Sequence, residues 1–108
     1  MSDTLTIYKQ VYPYQCQKLA DFGYRSLINI RPDNETIDQP TSETLSIAAQ
    51  QANLAYAYIP YDEERLSAET VILFAQHYQQ LPKPIMLFCG SGARAKLLYQ
   101  SALMQGLL

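Results

Sequence analysis

Short apolar runs alternate with segments of helical period along this chain, and that alternation restricts the fold more than any other feature. "LTIYK" at 5 to 9 is the weakest strand candidate, while "SLINI" at 26 to 30 and "AYAYI" at 55 to 59 read more clearly as strands. "IMLF" at 85 to 88 is short, unbroken and apolar, as expected of a strand buried on both faces in the middle of a sheet. Between these runs, Pro13 opens a short helix with Cys16, Leu19 and Ala20 on one face, stopped by Gly23. Thr41 or Ser42 caps a second helix, with Glu43 in its first turn and Leu45, Ala48, Ala49 and Ala52 on its buried side. Ser67 caps a third, whose Val71, Phe74, Ala75 and Tyr78 form a stripe before Pro82 and Pro84 end it. A last helix is expected from about Ala93 to Met104. Because each parallel connection needs a crossover, this order predicts an α/β fold with a mostly parallel central sheet flanked by helices.

A chain of 108 residues with 48% hydrophobic residues can bury one core, so residues 1–108 are expected to form a single domain. The formal charge of -2 provides no broad basic field, which argues against nucleic acid or an acidic membrane as partner. The start "MSDTLTIYKQ" lacks the pattern of a signal peptide, and no stretch is long and apolar enough to cross a bilayer; a cytoplasmic location is expected. The two cysteines, Cys16 and Cys89, are then expected to stay reduced. Without a CxxC or HExxH pattern, and with His77 the only histidine, neither a metal nor another cofactor is expected.

In a parallel sheet the loops that leave the C-terminal ends of the strands gather along one edge, where ligands bind. Three such junctions carry charged or reactive groups: Arg31, the cluster Asp62, Glu63 and Glu64, and the segment "CGSGAR" from Cys89 to Arg94. They are expected to converge. Gly90 and Gly92 let successive backbone N–H groups point inward, and the following helix N-terminus adds partial positive charge, which together make an anion cradle. Arg94 offers a bidentate fork to an oxyanion. A cysteine at the mouth of that cradle has its nucleophilic thiolate form stabilised, so Cys89 is a candidate nucleophile and is expected to be exposed and quick to alkylate or oxidise. The plainer reading, an inert cysteine at the end of a core strand, accounts for the residue but not for the combination of strand, Cys, two Gly, Arg and helix.

"CGSGAR" resembles the Cys-x-x-Gly-x-Arg loop of the beta-lactamase-hydrolase-like, phosphatase-like domain family, whose fold is similar to that of dual-specificity phosphatases. The resemblance extends to "LADFGYRSLINIRPDNE", "AYAYIP" and "LSAETVILFAQHYQQLPKPIMLFC", and so covers nearly the whole chain. It implies a phosphatase-like hydrolase in which Cys89 is the nucleophile, Arg94 binds the oxyanion, and the amides of Gly90, Ser91, Gly92 and Ala93 form the cradle. Arg31 matches the arginine of the family's Arg-Pro-Asp stretch, either as a second anion contact or as the partner of a nearby carboxylate. Asp62 lies one position from where dual-specificity phosphatases place their general acid, which makes it the candidate acid, with Glu63 and Glu64 behind it.

Phe88 stands where those phosphatases have His, four residues separate Cys89 from Arg94 instead of five, and Ala95 replaces a Ser or Thr hydroxyl, for which Ser91 is the available substitute. The four-residue spacing resembles the loop of rhodanese-type sulfurtransferases, in which Cys89 would carry a persulfide. A third reading is a non-catalytic anion-binding or regulatory domain. The implied partner is a phosphorylated or sulfur-carrying small molecule or protein, and the short C-terminus "MQGLL" leaves apolar surface for a second copy of the chain.

Overall fold

The computed structural model describes residues 4–61 and 66–108. Its centre is a sheet of four strands, β1 (Leu5–Tyr8), β2 (Ser26–Asn29), β3 (Ala55–Tyr58) and β4 (Ile85–Phe88), in the spatial order β1-β4-β2-β3 with every pair parallel. The last strand in sequence is therefore interior, between β1 and β2, and all four of its residues are buried. That placement explains the unbroken apolar run, since both faces of the strand meet helices and neither can be polar.

A single turn of 3-10 helix (Pro13–Gln15) leads into α1 (Cys16–Asp21), and α2 (Ser42–Gln51), α3 (Ala68–Gln80) and α4 (Ala93–Met104) follow. The start signals act as the sequence predicts: the hydroxyls of Thr41 and Ser67 accept the backbone N–H of Thr44 and Thr70. Gly23 ends the α1 region with φ 102°, a conformation in which a side chain would be strained.

Strand alternation divides the core into two layers. Ile28, Ile85 and Leu87 point to α3 and α4, where Phe74, Leu98 and Ala102 are fully buried. Leu27, Met86 and Phe88 point the other way, to Cys16 of α1 and to Leu45 and Ala49 of α2. Each large side chain fully buried in this way adds about 1.5–3 kcal/mol relative to leaving it in water. The architecture is thus helices, sheet, helices, with the C-terminal ends of all four strands along one edge. Among the described residues, no helix is long and apolar enough to cross a membrane.

Candidate active site at the carboxyl edge of the sheet

Cys89 directly follows β4, and its side chain continues the alternation of Ile85 and Leu87 toward the α3/α4 layer. The thiol is consequently buried, with 0% of the residue exposed, which corrects the expectation of an exposed cysteine. The loop closes over it: the Gly92 N–H donates to Cys89 Sγ at 3.0 Å. Gly92 can do this because it is left-handed, φ 97°, immediately before α4 begins at Ala93. The Ala93 N–H donates to Ser91 Oγ at 3.3 Å, and Ala95 packs in the core without polar function.

Gly90 allows a close approach of a different kind. A Cβ there would lie 3.2 Å from Nε and 3.3 Å from Cζ of Arg31, so the guanidinium rests directly against the loop backbone. The loop after β1 completes this side, because the Gln10 N–H donates to the Gly90 carbonyl at 3.2 Å while Gln10 Oε1 accepts from Arg31 Nη1 at 2.8 Å. Gln10 is itself buried, with Nε2 donating to the Val11 carbonyl at 2.7 Å. Arg31 is aimed from behind as well: its backbone N–H donates to Oδ1 of buried Asn29 at 2.9 Å, and Asn29 Nδ2 donates to the Tyr56 hydroxyl.

Arg94, in the first turn of α4, is steered by Tyr61. The Tyr61 hydroxyl donates to the Arg94 carbonyl at 2.6 Å, and Arg94 Nη1 donates to the Tyr61 carbonyl at 3.2 Å. Both arginines then meet one carboxylate, Glu35, in the segment between β2 and α2, a residue that sequence reasoning does not single out. Arg94 Nη1 and Nη2 donate to Glu35 Oε2 and Oε1, each at 2.8 Å, and Arg31 Nε donates to Oε1 at 2.9 Å. The Arg94 hydrogen bond, against the opposing effect of burial and with help from Arg31, holds the Glu35 carboxyl below its ordinary value.

Local structure delivers Glu35 to this point. Asp33 is fixed by its N–H to the Tyr58 hydroxyl at 3.0 Å and by its Oδ1, which accepts the Ser42 N–H at 2.8 Å. Asn34 is left-handed, φ 69°, and the Glu35 N–H donates to Gln39 Oε1. The one local signal for Glu35 was its spacing of four residues from Arg31.

Two of the three predicted junctions therefore converge: Arg31 and the segment Cys89, Gly90, Ser91, Gly92, Ala93, Arg94 share one edge. Asp62, Glu63 and Glu64 lie outside the described residues. Among the described residues, no group of three His, Cys, Asp or Glu side chains could hold a metal ion.

Comparison with known proteins gives consistent results. A family model described as beta-lactamase hydrolase-like protein, phosphatase-like domain, matches residues 1–107. A beta-lactamase hydrolase-like protein of Xylella fastidiosa is 35% identical over 77 residues, covering 71% of this chain and 18% of the relative. One of Agrobacterium fabrum is 30% identical over 99 residues, covering 92% of this chain and 23% of the relative. The chain thus spans about a fifth of the length of these curated relatives. A crystal structure from Neisseria meningitidis, named as a "putative phosphatase", superposes with a TM-score of 0.84 at 25% identity, covering 91% of this chain and 70% of that one.

Proposed function

Because this chain belongs to the beta-lactamase hydrolase-like, phosphatase-like domain family, we propose that it is a cysteine-dependent phosphoric-ester hydrolase. The observation that carries the reading is the meeting of Arg31 and Arg94 on a single carboxylate beside the Cys89 loop. Two guanidiniums that hold one pair of carboxylate oxygens present the donor pattern that a phosphoryl group needs.

In the proposed reaction the Cys89 thiolate attacks phosphorus in line, forming an S–P bond as the P–O bond to the leaving group breaks. Arg94 and the loop amides of Gly90, Ser91, Gly92 and Ala93 stabilise the equatorial oxygens, with Arg31 as a second anion contact. Asp62 protonates the leaving oxygen, then takes a proton from the water that attacks phosphorus, breaks the S–P bond and releases inorganic phosphate. The substrate is a phosphorylated small molecule or protein.

Steady-state hydrolysis of an aryl phosphate tests the proposal. Turnover by the wild-type chain that vanishes in Cys89→Ser supports it, and equal turnover by the two would overturn it. The four-residue spacing between Cys89 and Arg94 supports a second reading, sulfur transfer through a Cys89 persulfide. Intact mass after incubation with thiosulfate decides that case: one added sulfur atom, absent in Cys89→Ser, would establish it.

A further inference from the structure

We propose that Glu35 is an internal counter-anion that keeps the anion site closed until an oxyanion of higher charge displaces it. The inference rests on the phosphatase-like reading of the cysteine loop and adds a gate to it. Its basis is that both arginines and two of the loop amides already hold internal acceptors. Arg94 and Arg31 give three N–H groups to the Glu35 carboxylate at 2.8 to 2.9 Å. The Gly92 N–H is on Cys89 Sγ, the Ala93 N–H is on Ser91 Oγ, and Cys89 is wholly buried. These groups would otherwise meet phosphoryl oxygens, and while they are engaged internally the site is closed to an anion.

The carboxylate can be displaced. Its side chain is 29% exposed, and the loop that carries it is fixed through Asp33 and the Glu35 backbone, so the side chain can leave without unfolding the loop. A phosphate monoester dianion brings twice the charge of a carboxylate to the same two guanidiniums, whereas a monoanion has no such advantage. Glu35 would then set a threshold that passes dianions and rejects carboxylates.

The competing account makes Glu35 a positioning residue that aims the arginines, and it predicts effects of opposite sign. Isothermal titration with inorganic phosphate at neutral pH separates the two, using wild type, Glu35→Gln and Glu35→Ala, with circular dichroism to establish that each is folded. The gate predicts that both variants bind phosphate about tenfold more tightly or better, because the competent state no longer has to be freed of its own anion. Equal or weaker binding in folded variants, or no binding to any of the three proteins, would overturn it. Aryl phosphate kinetics keep this result apart from the hydrolase reading. Tighter phosphate binding by Glu35→Gln with no hydrolysis by either that variant or the wild type retains the gate and removes the hydrolase. A Glu35→Gln variant that turns over as fast as wild type at unchanged KM does the reverse.

Discussion

Cys16 and Cys89 lie on opposite sides of the sheet at the same depth, 1% and 0% exposed. Cys16 packs among Leu45, Ala49 and Phe88, and burial there pushes its thiol up from the ordinary value. Cys89 is equally dry on its core side, but its sulfur accepts a backbone N–H, and the loop that covers it leads to two arginines. Burial therefore does not distinguish the two cysteines. The backbone N–H directed at the Cys89 sulfur does, and it depends on one left-handed glycine and on a helix that starts at the next residue.

The comparison is sharpest in exchange of the two thiols. Cys89→Ser should lower aryl phosphate turnover by at least about a thousandfold, as loss of a nucleophile does. Cys16→Ala should leave turnover unchanged and cost about 1–2 kcal/mol in denaturant unfolding, as a small core truncation does. Arg94→Lys keeps the charge but loses the fork, and should reduce kcat/KM by roughly a hundredfold or more, measured on the same substrate. A smaller effect is expected for Gly92→Ala, which forces a side chain into φ 97° at a cost of about 1–2 kcal/mol and disturbs the amide on Cys89. Its iodoacetamide reactivity should change at Cys89 and stay constant at Cys16; a change at both would show that the loop does not act locally.

The smallest effect is one of pH. Since the folded Glu35 carboxyl is held below its ordinary value, its contribution to stability is complete above the unfolded value of about 4.3 and is lost as pH falls through the lower folded one. Glu35→Gln should therefore flatten the acid limb of the stability curve below about pH 4.3 without changing its shape near neutrality. An unchanged acid limb would mean that the ion pairs add nothing to the fold.

Much of the scaffold was legible because it follows local periodicity. The caps at Thr41 and Ser67 follow from residue type, the interior position of "IMLF" from an unbroken apolar run, and the buried faces of the helices from side-chain spacing. The burial of Cys89 was legible too, had the alternation of Ile85 and Leu87 been carried two residues further. Glu35 was not, since its partner Arg94 lies 59 residues away and a ten-residue polar loop gives no periodic signal. Gln10 carries no sequence signal for a similar reason: its contacts with Gly90 and Arg31 exist only through the strand order β1-β4-β2.

In the proposed reaction Cys89 forms a covalent bond to phosphorus within a cradle ending in Arg94. The most direct measurement is intact mass after acid quenching of the protein mixed with excess aryl phosphate, followed by peptide mapping of the adduct. The account predicts one phosphoryl group on the peptide carrying Cys89, absent from Cys89→Ser and unaffected in Cys16→Ala. Hydrolysis that proceeds at full rate with Cys89 replaced, or an adduct on any other residue, would contradict it.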